Sequence, residues 1–173
     1  VAPPGSWDES SGKAHWRNRK PGQPFFSVFN LETTHQGKVR ASDERFAELT
    51  ARLTPAQRHD PAKVPLPPWY PNTPAVRRDM AHFYDLVTAM DIQAGDLLAE
   101  LDKAGLADDT IVFFYPDQGT GMPRHKRAVY DSGVLTPLVI RIPPKFQQWA
   151  PGKPGSKVDR LVSFVDFAPT VLS

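Results

Sequence analysis

Asp117 and Gln118 set a carboxylate and an amide oxygen side by side, and Gly119 after them lets the backbone turn sharply. Oxygen donors of this kind suit a hard cation such as calcium or magnesium. Arg124, His125, Lys126 and Arg127 follow within ten residues of Asp117 and form the densest basic group in the chain. Cations beside metal-binding oxygens are what a sulfate or phosphate ester requires, because the ester oxygens must be neutralised as charge shifts in the transition state. A third group, Leu31-Glu32-Thr33-Thr34-His35, brings a histidine just after an apolar run. Taken singly, each of these also reads as ordinary structure: a turn after a strand, a solvated basic surface, a structural histidine. Their convergence on one face is what would make a site of them.

Elements must bring them there. The run Phe25-Phe26-Ser27-Val28-Phe29 lies between Pro24 and Asn30 and reads as a buried strand that exits toward His35. Thr73 as N-cap, Pro74 at the first helical position and Gly105 as a stop bound a helix at about 74–104. Along it Met80, Phe83, Val87, Met90, Ala94, Leu97 and Leu101 alternate spacings of three and four, one apolar stripe for a core-facing helix. A tight turn at Asp108 and Asp109 leads into Ile111-Val112-Phe113-Phe114-Tyr115. That run is apolar without alternation, as in strands of a parallel sheet buried on both faces. It exits into Asp117. Residues 137–141 and 161–165 are two further strand candidates, and Asp166 would cap a last helix. Helix and strand in this order give an α/β layered fold. Ligands of open α/β sheets bind beyond the carboxyl ends of the strands, where Asp117 and His35 fall.

The remaining segments are less regular. Residues 1–24 read as loop with a short helical turn at about 11–17, and residues 43–53 hold a short charged helix. The proline-rich stretch 61–74 is unsuited to helix or central strand and reads as an ordered surface loop near the site. Its Trp69 and Tyr70 could stack on a sugar, but the simpler reading has them anchoring their own loop. His15, His59 and His82 lack metal-ligand spacing and receive no role.

Composition narrows the function. The chain has 173 residues, enough for one domain, with 40% hydrophobic and 23% charged residues and a net charge of +2. The cations are scattered, without the basic face and interleaved aromatics of a nucleic-acid binder. Cysteine is absent, which excludes disulfides, zinc–thiolate sites and a cysteine nucleophile. No apolar run approaches the ~18 residues of a membrane span. Neither a Gly-x-Ser-x-Gly elbow nor a P-loop occurs. A start at Val1 and a stop at Ser173 inside an apolar segment suggest that both ends are cut, so the lack of a signal peptide says nothing of secretion.

At this point the order of motifs becomes informative. Residues 25–30 through His35 resemble the "PFF…N…H" segment of sulfatases, and residues 76–121 resemble their long helix, buried strand and metal turn. Residues 120–127, with Tyr130-Asp131-Ser132-Gly133 and Pro137-Leu138, closely resemble a bacterial branch related to heparan N-sulfatases. Residues 162–170 resemble the segment that follows. The likeness covers nearly the whole chain in order. It implies an alkaline-phosphatase-like α/β sandwich with a mostly parallel central sheet, of which residues 1–173 form a single incomplete catalytic domain lacking the N-terminal part.

The resemblance implies hydrolysis of sulfate esters or sulfamates on a sulfated small molecule or glycan. One calcium ion and basic residues hold the sulfate in this family, and a formylglycine made from a cysteine or serine attacks sulfur. By position, Asp117 and Gln118 correspond to metal ligands in a turn at 117–119. Lys126 corresponds to the lysine that contacts sulfate near the leaving oxygen, and His35 to the histidine that contacts sulfate or assists the leaving group. Arg124 and His125 fall in the same basic pocket segment, 124–127, as substrate-binding residues without an assigned role. Gln118 departs from the usual histidine or asparagine by an added methylene. The nucleophile motif Cys/Ser-x-Pro-x-Arg does not occur here, nor does the N-terminal Asp-Asp metal pair of the family. This chain alone is therefore expected to be inactive and to need the missing half of the same domain. Two other readings stand beside this one: a phosphodiesterase or phosphonate hydrolase of the same superfamily, and a relative that binds sulfated glycans without cleaving them. Periplasmic or secreted placement is usual for such relatives.

Overall fold

A computed structural model describes residue 3 and residues 5–173. In chain order the helices and strands are α1 (Gln36–Val39), α2 (Asp43–Leu49), α3 (Pro74–Lys103), β1 (Val112–Phe114), α4 (Asp131–Val134), β2 (Val139–Arg141) and α5 (Phe167–Leu172). Short 3-10 turns at Trp16–Asn18, Glu32–Thr34, Pro55–Gln57, Ala107–Asp109, Pro144–Trp149 and Phe164–Asp166 join or precede them. The class is α/β, with one small sheet beside a dominant helix.

That helix, α3, has 30 residues and is about 45 Å long at 1.5 Å per residue. It begins as its sequence dictates: the Thr73 hydroxyl accepts the Val76 N–H at 3.4 Å, and Pro74 occupies the first turn, where its missing N–H costs nothing. It ends at Gly105, whose φ of +67° suits a residue without Cβ. The other segments are tied along its length. Near its C-terminal end His15 Nε2 lies 3.2 Å from Glu100, and Arg52 pairs with Asp96. Further back, Thr33 Oγ1 donates to Gln93 Oε1 at 2.7 Å, and Phe46 of α2 stacks on His82 at 3.9 Å. Asp85 is buried and accepts both the His59 N–H at 2.8 Å and the His59 ring at 2.9 Å.

Burial on α3 is displaced from the expected stripe. Met80 and Leu101 are buried, but Phe83, Val87, Met90, Ala94 and Leu97 are only half-buried. Ala81, Asp85, Leu86 and Ala89 complete the buried face. Hydropathy alone misses this line because it runs through Asp85, an acid that His59 and Arg58 satisfy inside. The proline-rich loop folds onto the start of α3, where Val64, Met80 and Ala81 form a core flanked by Leu66, Tyr70, Val76, Tyr84 and Met122. Arg77 fixes this loop by donating to the carbonyls of Pro61 at 3.1 Å and Ala62 at 3.0 Å.

The sheet differs more from expectation. β1 pairs with β2 antiparallel, with Phe113 opposite Ile140, in place of the parallel ladder expected. Phe114, Val139 and Ile140 are exposed, so β1 is not buried on both faces. Residues 25–29 alternate in burial, with Phe26 and Val28 exposed, yet they form no strand. Residues 161–163 are irregular and Phe164–Asp166 is a 3-10 turn, so the strand expected at 161–165 is absent too. The reason is common to both. An extended apolar run becomes a strand only where a second backbone lies about 4.8 Å away to complete its hydrogen bonds, and no described residue offers one there. The last helix, α5, does form, but the Asp166 carboxylate accepts the N–H of Ser163 at 2.9 Å instead of capping α5.

Candidate functional site

β1 carries the chain through Tyr115 and Pro116 to Asp117, which is exposed, and Gln118, which is half-buried. The loop that follows doubles back on itself. Gly119 N–H donates to the Gly133 carbonyl at 2.9 Å, and Lys126 N–H donates to the Thr120 carbonyl at 2.9 Å. The basic segment thereby closes over the Asp117 turn. Gly133 allows this closure, because a Cβ there would collide with the carbonyl oxygens of His125 and Ala128. On its other side the loop meets the His35 segment. A Cβ on Gly121 would stand 2.5 Å from Gln36 Cβ and 2.6 Å from Gln36 Cα. Only a bare backbone admits so close an approach.

His35 is exposed and caps α1, its Nδ1 accepting the Gly37 N–H at 3.4 Å. With Nδ1 as acceptor, the neutral ring carries its proton on Nε2, which is left to donate outward. The Thr33–Gln93 hydrogen bond fixes this segment to α3.

The basic segment is held in a strained form. Arg124 and Arg127 have φ of +67° and +69°, the left-handed region that side chains with a Cβ disfavour. Neighbours impose it: Ser132 Oγ donates to the Arg124 carbonyl at 2.6 Å, and the Tyr70 hydroxyl donates to the Pro123 carbonyl at 2.7 Å. The Arg124 guanidinium lies over the Tyr130 ring at 4.5 Å and over Trp69 at 5.3 Å. His125 sits 6.3 Å from the Tyr70 ring and 6.4 Å from that of Trp69. The proline-rich loop thus lies against the basic segment, as expected. Tyr70 anchors it, and burial holds the Tyr70 phenol above the ordinary tyrosine range.

Among the described residues, Arg124, Lys126 and Arg127 form no ion pair, and the Asp117 carboxylate neither forms an ion pair nor accepts a hydrogen bond. Unpaired cations beside an unpaired carboxylate leave a local field free to act on an anion and a cation together. The segments bearing all six singled-out residues are neighbours in space, but no hydrogen bond or ion pair among described residues joins their side chains. Asp117 and Gln118 offer the hard oxygen donors that calcium takes, yet they are two where about six to eight are needed. No set of three acidic or histidine side chains gathers among the described residues. The donors fit such an ion in kind and fall short in number.

Sequence reasoning missed Tyr130 and Gln36. Nothing in their sequence spacing marks them, and they matter through long-range placement: Gln36 meets Gly121 and Tyr130 lies under the Arg124 guanidinium. His15, His59 and His82 all have structural partners, in Glu100, Asp85 and Phe46.

Comparison with known proteins gives a consistent picture. The sulfatase family model matches residues 12–173. An ulvan-active sulfatase of Formosa agariphila is 39% identical over 197 residues, covering 99% of this chain and 32% of that protein. The human N-sulphoglucosamine sulphohydrolase is 37% identical over 116 residues, 67% of this chain and 22% of its own length. An N-acetylglucosamine-6-O-sulfatase of Bacteroides thetaiotaomicron is 36% identical over 97 residues, 54% of this chain and 16% of its own. The chain thus spans a third or less of each of these relatives.

Proposed function

This chain belongs to the sulfatase family, and from that premise we propose that the protein of which it forms part hydrolyses sulfate esters or sulfamates on sulfated glycans. One observation carries the reading: the close approach of Gly121 to Gln36, which holds the His35 segment against the loop of Asp117 and Lys126. An anion between them would meet a cation, a donor and a metal-binding oxygen at once.

Lys126 neutralises charge on the sulfate oxygens as the bond to the leaving oxygen stretches, and it is free to do so because no described carboxylate claims it. His35 presents Nε2–H to the leaving oxygen, its ring oriented by the cap at Gly37. Arg124 and His125 hold the remainder of the substrate. Asp117 and Gln118 supply part of the oxygen set for one calcium ion, which would draw electron density from the sulfate when bound. The nucleophile for sulfur would be a formylglycine from a part of the whole protein outside these residues. Without it this chain alone does not turn over substrate. The exposed apolar residues of 25–29, of β1 and β2 and of 161–165 are the faces against which the rest of an alkaline-phosphatase-like sandwich packs. Likeness to bacterial relatives of this family supports a periplasmic or secreted protein.

The test uses the full-length protein with calcium present, an aryl sulfate and a sulfated disaccharide as substrates. Sulfate release in Lys126→Ala should fall by at least ~100-fold, the scale of losing one charge-stabilising group. Release unchanged in the variant removes Lys126 from the chemistry. No release from the wild-type protein on either substrate removes the hydrolytic reading.

A further inference from the structure

Beside the catalytic loop lies a cleft of about 390 Å³ lined by Trp69, Arg124, Val129, Tyr130, Asp131 and Ser132. Among these, the Arg124 guanidinium lies over the Tyr130 ring at 4.5 Å and the Trp69 ring at 5.3 Å. The guanidinium makes no side-chain hydrogen bond or ion pair among the described residues, so its N–H donors are unused. Asp131 lines the same cleft but lies outside ion-pair distance. The backbone beneath is strained, with φ of +67° at Arg124, pinned by Ser132 and, through Pro123, by Tyr70. Val129 is 94% exposed and Tyr130 52% exposed, so apolar surface stands open at the rim.

A guanidinium beside two aromatic rings with its N–H donors unused suits an oxyanion that can accept two parallel hydrogen bonds. Exposed aromatic and aliphatic surface next to it suits the apolar face of a pyranose. We propose that this cleft is a second anion subsite, which takes the carboxylate or sulfate of the sugar adjacent to the one carrying the scissile group. The sugar lies against Tyr130 and Val129, its oxyanion meets Arg124 edge-on, and Asp131 accepts from its hydroxyls. Arg124 thereby selects for substrates with a second charge. The proposal rests on the sulfatase reading for the identity of the substrate as a glycan, but its binding step is independent of hydrolysis.

The test is calorimetric binding to the full-length protein of an unsulfated disaccharide with a single uronate carboxylate. Its carboxyl-reduced counterpart and a disaccharide with one sulfate in place of the carboxylate serve as further probes. None of these needs the nucleophile, so a failure of sulfate release leaves this measurement intact. Arg124→Asn removes the fork while keeping a residue tolerant of left-handed φ, and Arg124→Lys keeps the charge without the plane. The uronate probe should bind the wild-type protein at least 10-fold more tightly than either variant, at equal melting temperature. The carboxyl-reduced probe should bind wild type at least 10-fold more weakly. Whether the sulfate probe binds as tightly as the uronate identifies which oxyanion the subsite prefers. Equal affinity for the charged and reduced probes, or no change in Arg124→Asn, would overturn the proposal.

Discussion

Asp85 shows how one residue organises a region that hydropathy misreads. It is 4% exposed, and its acceptors are filled by the His59 backbone N–H and ring, with Arg58 at 3.5 Å. Those partners join the segment between α2 and α3 to the first half of α3. Asp85→Ala should destabilise the protein by about 2–3 kcal/mol, the range for losing hydrogen bonds to a charged group. Asp85→Asn, whose amide oxygen still accepts the His59 N–H, should cost less. Denaturant unfolding of both variants measures the difference; equal losses would show that charge, not hydrogen bonding, holds the site. At this scale the residue types of the candidate site were legible. Asp117, Gln118 and Lys126 could be named as candidates from type and order alone, although each taken singly also fits an ordinary turn or a solvated surface. The left-handed backbone at Arg124 and Arg127 was not legible, because nothing in an arginine side chain announces it. The closure through Gly133 and Ser132 imposes it from a distance.

Elements divide by whether their signal is local. α3 could be read nearly to the residue, because its N-cap at Thr73, Pro74 and its glycine stop all act within a turn of the helix ends. The proline-rich loop was legible as a loop, but its docking was not. It rests on Tyr70, whose ring enters the core near Met80 and whose hydroxyl reaches Pro123 at 2.7 Å. Burial raises the folded-state pKa of this phenol above the unfolded value of about 10. Its contribution is therefore fully present below pH ~10 and is lost as pH rises through the folded pKa, when the phenolate can no longer donate to the carbonyl. Tyr70→Phe should cost about 1 kcal/mol at neutral pH and should show a smaller loss of stability above pH 10 than the wild-type protein. Melting temperatures of both proteins between pH 8 and pH 11 check this; parallel curves would mean that the hydroxyl contributes nothing to docking.

For the molecule as a whole, strand identity was the hardest feature to read. The apolar runs at 25–29, 111–115 and 161–165 were found correctly as apolar runs. Only 111–115 contains a strand, because only there does a partner, β2, supply a ladder. Pairing is a property of two distant segments, and no window of sequence contains both. The site suffers the same limit: its three groups were visible singly, and the Gly121–Gln36 contact that unites two of them is a long-range fact.

The attachment of so many segments to α3 has a consequence for how the chain comes apart. His15, Thr33, Arg52 and His59 all tie their segments to that one helix, whereas residues 151–160 are exposed throughout and make little backbone hydrogen bonding beyond a turn from Ser156 to Lys153. Amide protons near the middle of α3 should exchange last and those of 151–160 first, since local opening is easiest where few bonds must break. A protease reads the same hierarchy. Brief trypsin treatment of the 173-residue chain should cleave after Lys157 or Arg160 before any site within α3, as mass spectrometry of the fragments would record. Early cleavage at Arg77 or Arg78 would mean that the helix is not the last part of this chain to yield.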